Sequence, residues 1–239
     1  MDLTHQPCVI TGAARGIGLE LARVLTAKGA RVVLADVDAA ALEAADVPGS
    51  LKVVCDVTRS AAVEHLAAET ERVFGTPAVW INNAGLARHR WIPDYAEEEI
   101  DLMLAVNLKG TILGSQAALR RMIPRKAGHI INVISTASLR GIPSETVYCA
   151  AKWGVRGFTQ GLQEEAAAHR IRVTAVLPGG VSTEFWTDAS TRQAPLEKFL
   201  TSRQVADAIV KVLEMDDFCV ARELVLRSIE DSDFSVKPE

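Results

Sequence analysis

"TGAARGIG", residues 11–18, is the stretch that decides the fold of this chain. A short apolar run, "CVIT", leads into it, and an apolar helical pattern follows at once. The glycines Gly12, Gly16 and Gly18 allow a sharp turn and a close approach of the backbone to a ligand. A helix that begins at such a turn presents free N–H groups and a positive dipole end, which suit a pyrophosphate. The pattern therefore predicts a dinucleotide site between a first strand and a first helix.

The second apolar run, "RVVLAD", ends in an acid that bears on which dinucleotide is bound. Asp36 lies about 20 residues past the glycine turn, where a carboxylate accepts the ribose 2′-OH of NAD and repels the 2′-phosphate of NADP. Arg15 favours the opposite choice, because a guanidinium pairs with a phosphate. Asp38 can cap the next helix, which leaves Asp36 without an obvious structural role. We predict NAD, with NADP as the less favoured alternative.

Short β-branched runs alternate with helical patterns along the chain. Each run is nearly continuously apolar, which predicts strands buried on both faces of a parallel sheet. The alternation predicts an α/β fold: a single-domain, Rossmann-like, doubly wound parallel sheet of about seven strands with helices on both faces. Residues 1–239 form this one domain, and the polar end, 230–239, is expected to be a flexible tail. The runs are "CVIT", "RVVLADV", "LKVVCDV", "AVWINNAG", "HIINVIS", "RVTAVLPG" and "ELVLRS".

Composition narrows the classes of function. The net charge of −4 is spread over both signs without a basic stripe, so we expect no nucleic-acid partner. The apolar runs are strand-sized and the N-terminus lacks the layout of a signal peptide, so we expect no membrane partner. The cysteines lie far apart without metal-ligand spacing. They indicate reduced thiols in a cytoplasmic protein with no metal site; they are Cys8, Cys55, Cys149 and Cys219.

"VYCAAKWG", residues 147–154, places a tyrosine and a lysine four residues apart. On a helix, Tyr148 and Lys152 share one face. A nearby cation favours the phenolate and lowers the tyrosine pKa from about 10, which gives a proton donor or acceptor usable near neutral pH. An ordinary amphipathic helix with a surface lysine and a half-buried tyrosine explains the same pattern, so the pair alone leaves both interpretations open.

Seven motifs together make the pattern specific. In their order and separations the chain resembles the short-chain dehydrogenase/reductases over about residues 5–215. The resemblance implies an NAD(H)-dependent oxidoreductase that interconverts a secondary alcohol and a ketone by hydride transfer, with a small-molecule substrate. The motifs are "TGAARGIG" (11–18), "CDVT" (55–58), "NNAG" (82–85), "VNLKG" (106–110), "NVIS" (132–135), "YCAAK" (148–152) and "PGGVST" (178–183).

The resemblance implies a catalytic tetrad. Tyr148 is the acid/base, Ser135 hydrogen-bonds the reacting oxygen, and Lys152 lowers the tyrosine pKa and holds the nicotinamide ribose. Asn107 anchors a water that links Lys152 to solvent. Ser138 is a competing serine, which we rank below Ser135 because relatives often carry glycine there.

The resemblance also implies the cofactor contacts. The glycine turn holds the pyrophosphate, the end of the third strand faces the adenine, the fourth strand end lines the cofactor's path, and "PGGVST" turns over the nicotinamide. The residues are Gly12, Arg15, Gly16, Ile17, Gly18, Asp36, Asp56, Val57, Asn83, Ala84, Gly85, Tyr148, Lys152, Pro178, Gly179, Val181 and Thr183.

We expect a homodimer through the long helices around 100–120 and 150–165, the first of which should bend near Gly110 and end before Pro124. Glycine in a helix interior costs about 1 kcal/mol relative to alanine, and close helix approach would explain that cost. The glycine-rich last strand of many relatives is absent here, so a tetramer is possible rather than expected. The glycines are Gly110, Gly114, Gly154, Gly157 and Gly161.

The substrate region is expected in three segments, 86–91, 138–146 and 182–200, the last as a mobile lid. Phe185, Trp186 and Trp91 suggest an apolar or ring-shaped substrate, and packing anchors explain them equally well. Two alternatives to the first function stay open: an NADPH-dependent ketoreductase of 3-oxoacyl or polyketide type, and a non-catalytic dinucleotide-binding sensor. The basic side chains that could contact an anionic group, or be solvated loop charges, are Arg88, His89, Arg90 and Arg140.

Overall fold

A seven-stranded parallel sheet forms the centre of the protein, for which we use a computed structural model that describes residues 1–186 and 195–230. The strand order is β3-β2-β1-β4-β5-β6-β9, and every neighbouring pair is parallel. All seven predicted runs are strands of this sheet, so the predicted architecture is confirmed. The strands are β1 (Pro7–Thr11), β2 (Arg31–Asp36), β3 (Leu51–Val54), β4 (Val79–Asn82), β5 (His129–Val133), β6 (Arg172–Pro178) and β9 (Glu223–Leu226). A separate two-residue pair joins β7 (Val181–Ser182) to β8 (Leu200–Thr201).

Helices cover both faces of the sheet, as predicted. One apolar cluster joins the sheet to the first and last helices, and another joins it to the third, fifth and sixth. The expected flexible tail lies almost wholly outside the described residues. The helices are α1 (Gly16–Ala27), α2 (Ala39–Ala44), α3 (Ser60–Phe74), α4 (Glu97–Met103), α5 (Gly110–Met122), α6 (Thr146–Ala167) and α7 (Ser202–Leu213).

Burial of the strands depends on their place in the sheet. Strands β1, β4 and β5 are buried throughout, as their apolar sequences predict. The expectation of full burial is wrong for the two edge strands: Val54 of β3 is 55% exposed and Val225 of β9 is 47% exposed. An edge strand has a neighbour on one side only, and the helices pack over the centre of the sheet.

The long helical run changes its hydrogen-bonding pattern just before Gly110, where a bend was expected. Between α4 and α5, the segment Leu104–Lys109 is π-helical, and α5 begins at Gly110. The α-helix ends at Met122, before Pro124, which lies in a 3₁₀ turn. By length and composition Glu97–Arg125 is a candidate membrane span, but α5 packs against β4 and α3 in the core.

A buried polar network ties this helix to the sheet. Asn82 accepts a hydrogen bond from the Trp80 indole at 2.9 Å and donates to Ser115 on α5 at 3.0 Å and to Asn132 at 2.8 Å. Each of these side chains is almost fully buried, so each bond offsets a desolvation cost. A methyl group at Gly114 would lie 2.9 Å from the Trp80 indole nitrogen and even closer to Asn82. Gly114 therefore serves the contact between α5 and the sheet.

We predict that Gly114→Ala destabilises the protein by about 1–3 kcal/mol, because the added methyl overpacks a closed polar network. Denaturant unfolding followed by circular dichroism measures the change. Gln116→Ala, at an exposed position of the same helix, is the matched control and should stay within about 0.5 kcal/mol of wild type. Equal stability of the two variants would contradict the packing role of Gly114.

Candidate active site

A cavity of about 560 Å³ lies at the carboxyl ends of the central strands, where ligands of doubly wound sheets bind. It collects nearly all of the residues singled out from the sequence. Gly18 and Asn107 do not line it. The predicted residues that do are Gly12, Arg15, Gly16, Ile17, Asp36, Asp56, Val57, Asn83, Ala84, Gly85, Ser135, Tyr148, Lys152, Pro178, Gly179, Val181 and Thr183.

The glycine turn needs backbone angles and close contacts that only glycine allows. Gly12 and Gly16 have φ values of +63° and +56°, a region that other residues rarely adopt. A Cβ on Gly12 would lie 2.7 Å from the Cα of Ala84, and one on Gly18 would lie 2.7 Å from the Asn83 amide nitrogen. Gly18 thus faces away from the cavity and permits close packing of α1 against the strand ends. Gly16 and Ile17, at the N-terminus of α1, line the cavity. The first N–H groups of a helix lack partners within it.

Asn83 holds the turn from the end of β4. Its side-chain amide donates to the carbonyls of Thr11 and Gly12, both at 3.0 Å. In return, the Thr11 hydroxyl accepts from the backbone N–H groups of Asn83 and Ala84, both at 3.1 Å. This reciprocal set fixes the glycine turn to the strand end that borders the rest of the cavity.

Asp36 has a structural role that the sequence did not reveal. Its carboxylate accepts from the backbone N–H of Ala14 at 3.0 Å and from that of Asp38 at 3.1 Å, so it braces the glycine turn. Asp38 caps α2, as predicted, by accepting from Ala41 N–H at 3.0 Å. The Ala41 N–H, and after it the Arg15 guanidinium, lower the pKa of Asp38. Arg15 is therefore already engaged with Asp38 at the end of the cavity near the glycine turn.

Ser135, Tyr148 and Lys152 meet at the other end of the cavity. Ser135 lies two residues beyond the end of β5, with its hydroxyl close enough to the Tyr148 phenol to lower the pKa of that phenol. The Lys152 ammonium lies 5.5 Å from the centre of the Tyr148 ring and donates to the Val133 carbonyl at 3.4 Å. Tyr148 and Lys152 are 7% and 4% exposed, so the interpretation of Lys152 as a surface lysine is wrong.

The pKa values of Tyr148 and Lys152 differ from the expectation. Burial raises the pKa of Tyr148, the negative charge of Glu145 raises it further, and the hydrogen bond from Ser135 lowers it. Burial lowers the pKa of Lys152 to about 8. The predicted lowering of the tyrosine pKa by Lys152 is not found, because burial disfavours the charged form of both groups.

Asn107 lies beneath the cavity wall in the π-helical segment. Its amide donates to the carbonyls of Leu86 at 2.8 Å and Met103 at 2.9 Å, and its oxygen accepts from Leu86 N–H at 3.2 Å. A Cβ on Gly85 would lie 2.9 Å from that oxygen and 3.5 Å from the Lys152 nitrogen. The absence of a side chain at Gly85 thus leaves space between the Asn107 oxygen and the Lys152 nitrogen. The water-anchoring role of Asn107 stays a prediction.

The competing serine has a different role. Ser138 is fully buried, does not line the cavity, and donates to the carbonyl of Ser135 at 2.7 Å. Ser135 in turn accepts from Ala137 N–H at 3.1 Å, which makes it the cap of the short 3₁₀ turn Thr136–Ser138. Ser138 therefore shapes the turn that presents Ser135 to the cavity.

The turn after β6 forms part of the cavity wall. Gly179 donates its N–H to Leu226 of β9 at 2.8 Å, so the last strand supports this turn without a glycine-rich sequence. Val181 lies in the short strand β7, and the carbonyl of Gly180 accepts from Leu200 at 2.9 Å. The Thr183 hydroxyl accepts from Phe185 N–H at 3.3 Å.

Aromatic side chains border the end of the cavity near Tyr148. The Phe185 ring lies 5.8 Å from the Tyr148 ring, and Trp186 lies 5.6 Å from His89 and 5.2 Å from Phe199. The Trp186 indole donates to the Val181 carbonyl at 2.9 Å, so this ring also anchors the chain. Trp91 is 58% exposed and does not line the cavity, contrary to its proposed role. Residues 187–194 of the expected lid lie outside the described residues.

The charged side chains near this end divide into two groups. Arg88 lines the cavity, whereas His89, Arg90 and Arg140 do not, and Arg90 pairs with Glu99 at 3.2 Å. Sequence reasoning did not single out Glu145, which is 3% exposed and lines the cavity. The available signal was its position three residues before Tyr148, which puts both on one side of α6.

Comparison with known proteins identifies the family. A family model described as short chain dehydrogenase matches residues 6–194. The chain belongs to this family. An uncharacterized oxidoreductase of Staphylococcus aureus (strain MRSA252) is 34% identical over 231 residues, which cover 95% of this chain and 99% of that protein. A human 3-oxoacyl-acyl-carrier-protein reductase is 34% identical over 214 residues, which cover 87% of this chain and 90% of the relative.

A solved structure agrees in fold and class of activity. The alcohol dehydrogenase of the archaeon Thermococcus sibiricus, complexed with 5-hydroxy-NADP, matches with a TM-score of 0.86 at 29% identity. The match covers 98% of this chain and 99% of that one. This short-chain dehydrogenase is thus an oxidoreductase that acts on CH–OH groups.

We predict that one lysine ammonium titrates with a pKa of about 8. Nitrogen-detected NMR of lysine-labelled protein should show this titration, because burial penalises the ammonium of Lys152. The signal should vanish in Lys152→Met and persist in Lys211→Met, a control at an exposed position of α7. Retention of the signal in Lys152→Met would show that it belongs to another group.

Proposed function

We propose that this short-chain dehydrogenase uses NAD(H) to interconvert a secondary alcohol and a ketone, with Tyr148 as the acid/base. The observation that carries the proposal is one cavity lined at one end by the glycine turn and Asp36 and at the other by Ser135 and Tyr148. A dinucleotide that lies along this cavity would place its reactive ring beside the phenol.

The residues fit a nicotinamide dinucleotide. A pyrophosphate suits the N-terminus of α1, where the first N–H groups of the helix lack partners within it. Gly12 and Gly16 have positive φ values that shape the turn before it, and a side chain at Gly12 would clash with Ala84. Asp36 would accept the ribose hydroxyls, with Asp56 and Val57 at the adenine. The remaining predicted contacts would be made by the strand-end residues 83–85 and the turn 178–183. When bound, the cofactor supplies or accepts the hydride.

The protein's own residues would manage the proton. In reduction, Tyr148 donates its phenol proton to the carbonyl oxygen while Ser135 hydrogen-bonds the same oxygen. In oxidation, the phenolate takes the proton of the alcohol. Lys152 carries a positive charge below its pKa of about 8 and would hold the nicotinamide ribose. Asn107 would anchor a water beside Lys152, across the space that Gly85 leaves open.

The choice of NAD rests on charge at the adenosine end. The carboxylate of Asp36 opposes a 2′-phosphate, and Arg15 is engaged by Asp38, so its charge is partly offset. An NADPH-dependent ketoreductase is the second candidate, favoured by the Thermococcus sibiricus enzyme complexed with 5-hydroxy-NADP and by the human 3-oxoacyl reductase. A non-catalytic sensor has no use for the grouping of Ser135, Tyr148 and Lys152.

We also propose a homodimer of this chain in the cytoplasm. The five helix glycines support the dimer less than expected, because a Cβ at Gly110, Gly114 or Gly154 would contact side chains of the same chain. A Cβ at Gly157 or Gly161 would have no neighbour within 4 Å. Together with the exposed Trp153 and Ile112, these open positions support a partner on the α5–α6 face. The cysteines are all free, and three are buried, in keeping with reduced thiols.

We predict that the protein binds NADH at least about tenfold more tightly than NADPH, a difference of about 1.4 kcal/mol. Nicotinamide fluorescence during titration measures both dissociation constants. Asp36→Asn removes the charge that opposes the 2′-phosphate and should reduce the ratio of the NADPH to the NADH dissociation constant. Asp46 is an exposed acid after α2, and Asp46→Asn should leave that ratio unchanged. Tighter binding of NADPH by the wild-type protein would favour the ketoreductase.

We predict that Tyr148→Phe lowers turnover of secondary alcohols and ketones by about 100-fold or more, because it removes the general acid/base. The dissociation constant for NADH should change little. Tyr95→Phe alters the only other tyrosine, whose hydroxyl donates to the Arg88 carbonyl, and should retain turnover. Undiminished turnover in Tyr148→Phe would remove its role as acid/base.

A further inference from the structure

An acid at the start of α6 lines the cavity and does not cap its own helix. Glu145 is the N-cap residue of α6, a position where a short polar side chain usually accepts from the first N–H groups. The Glu145 side chain makes no capping hydrogen bond. The residue is almost fully buried and lines the same cavity as Tyr148, which follows three residues later. The acid thus belongs to the wall of the cavity rather than to the cap of the helix.

The backbone just before Glu145 is held in an uncommon conformation. Ser144 has a φ of +61°, in the left-handed region that residues other than glycine adopt only at an energetic cost. The Ser144 carbonyl accepts from Arg90 N–H at 3.0 Å and from the Tyr95 hydroxyl at 3.3 Å. These bonds come from the segment between β4 and α4 and keep the turn in place. Such strain is typical of residues that position a functional group.

A buried histidine contacts the acid and joins it to the aromatic wall. His89 Nε2 lies 3.5 Å from Oε1 of Glu145, and His89 is fully buried and does not line the cavity. The His89 ring also stacks on Trp186 at 5.6 Å, and Trp186 does line the cavity. A carboxylate has about four acceptor sites on its two oxygens, more than one histidine can fill. Glu145 is therefore suited to accept a further hydrogen bond from a ligand.

We propose that Glu145 selects the substrate by accepting a hydrogen bond from a hydroxyl group on the carbon next to the reacting carbon. The substrate class is then an α-hydroxy ketone, or the vicinal diol that it becomes on reduction. Because Glu145 and Tyr148 are neighbours at the start of one helix, a group held by the acid lies close to the oxygen that Tyr148 protonates. The reaction itself rests on the proposed function, to which this assignment adds the substrate class.

The surroundings of Glu145 favour a neutral hydrogen-bond donor. Phe185 and Trp186 line the cavity with it and suit an apolar or ring-shaped group on the substrate. An apolar group against the carboxylate would take it out of water without a hydrogen bond, whereas a hydroxyl offsets that cost. A cationic group is disfavoured, because Arg88 lines the cavity and Lys152 is positive below its pKa of about 8.

The acid takes no part in the proton balance of the reaction. In reduction, the carbonyl carbon gains the hydride of the reduced nicotinamide, which is oxidised, and the carbonyl oxygen gains the proton of Tyr148. The α-hydroxyl keeps its own proton throughout. Glu145 therefore acts on the binding and orientation of the substrate, as a residue that determines specificity.

Three ketones of similar size test the substrate class. α-Hydroxyacetophenone carries the hydroxyl, propiophenone has a methyl group in its place, and α-aminoacetophenone has an ammonium group there in mildly acidic buffer. We compare the ratio of kcat/KM for the hydroxy ketone to that for propiophenone between proteins, so that the intrinsic reactivities cancel. Glu145→Met removes the acceptor oxygens, and Glu145→Gln replaces the carboxylate by a neutral amide. Glu165→Met, at an exposed position of the same helix, is the matched control.

We expect Glu145→Met to lower this ratio by about tenfold or more, because a hydrogen bond to a carboxylate is lost. Glu145→Gln should lower it less, since a bond to a neutral oxygen is weaker, and it decides the question alone if the methionine variant does not fold. Glu165→Met should leave the ratio unchanged. A role confined to packing would slow both ketones equally, so an unchanged ratio in the Glu145 variants would overturn the proposal. Faster reduction of the amino ketone than of the hydroxy ketone would overturn the choice of a hydroxyl.

Calorimetry separates this proposal from the proposed function. Binding of the ketones to the protein loaded with the oxidised dinucleotide, which cannot reduce them, measures the same preference without turnover. A preference for the hydroxy ketone that depends on Glu145, in a protein that lacks turnover, would refute the proposed function alone. Reduction of both ketones at a ratio independent of Glu145 would refute the substrate class alone, and so would failure of the hydroxy ketone to bind.

Discussion

Close packing of the glycine turn against the end of β4 is the constraint on which the site depends. Asn83 binds the carbonyls of Thr11 and Gly12, and neither Gly12 nor Gly18 has room for a side chain in this contact. The same strand end continues to Gly85, beside Asn107 and Lys152. One short stretch of backbone therefore connects the glycine turn to the end of the cavity that holds Lys152.

The reacting end depends on a balance of buried charges. Burial disfavours both the phenolate of Tyr148 and the ammonium of Lys152, which lowers the lysine pKa to about 8. The charge of Glu145 raises the pKa of Tyr148 further, while the Ser135 hydroxyl lowers it by favouring the phenolate. A bound nicotinamide ring adds a charge only in its oxidised form, so the same residues meet a different balance in each direction of the reaction.

The sequence predicts the sheet well because each strand is a local apolar run between helices. It also predicts the cap at Asp38, since that bond depends on neighbouring residues. It could not reveal the brace from Asp36 to Ala14, because that bond joins residues 22 apart. The exposure of the two edge strands also depends on tertiary structure. So do the contacts that a side chain at Gly114 or Gly154 would make, with Asn82 and Leu108 respectively.

Glu145 illustrates the same limit at the active site. A glutamate three residues before a tyrosine is an ordinary helical pattern, and only the folded chain shows that Glu145 is buried beside His89 and lines the cavity. The sequence indicates that aromatic residues border the substrate, but it does not separate their roles. Trp186 anchors the chain at Val181, while Trp91 lies apart from the cavity, and only the folded chain distinguishes the two.

A crystal structure of the complex with NADH would test the central claim most directly, that one cavity joins a dinucleotide cradle to the Tyr148 proton donor. We expect the pyrophosphate at the N-terminus of α1, near Gly12 and Ile17, and the nicotinamide ring beside Tyr148 and Lys152. A dinucleotide bound with its nicotinamide remote from Tyr148, or outside this cavity, would contradict that claim.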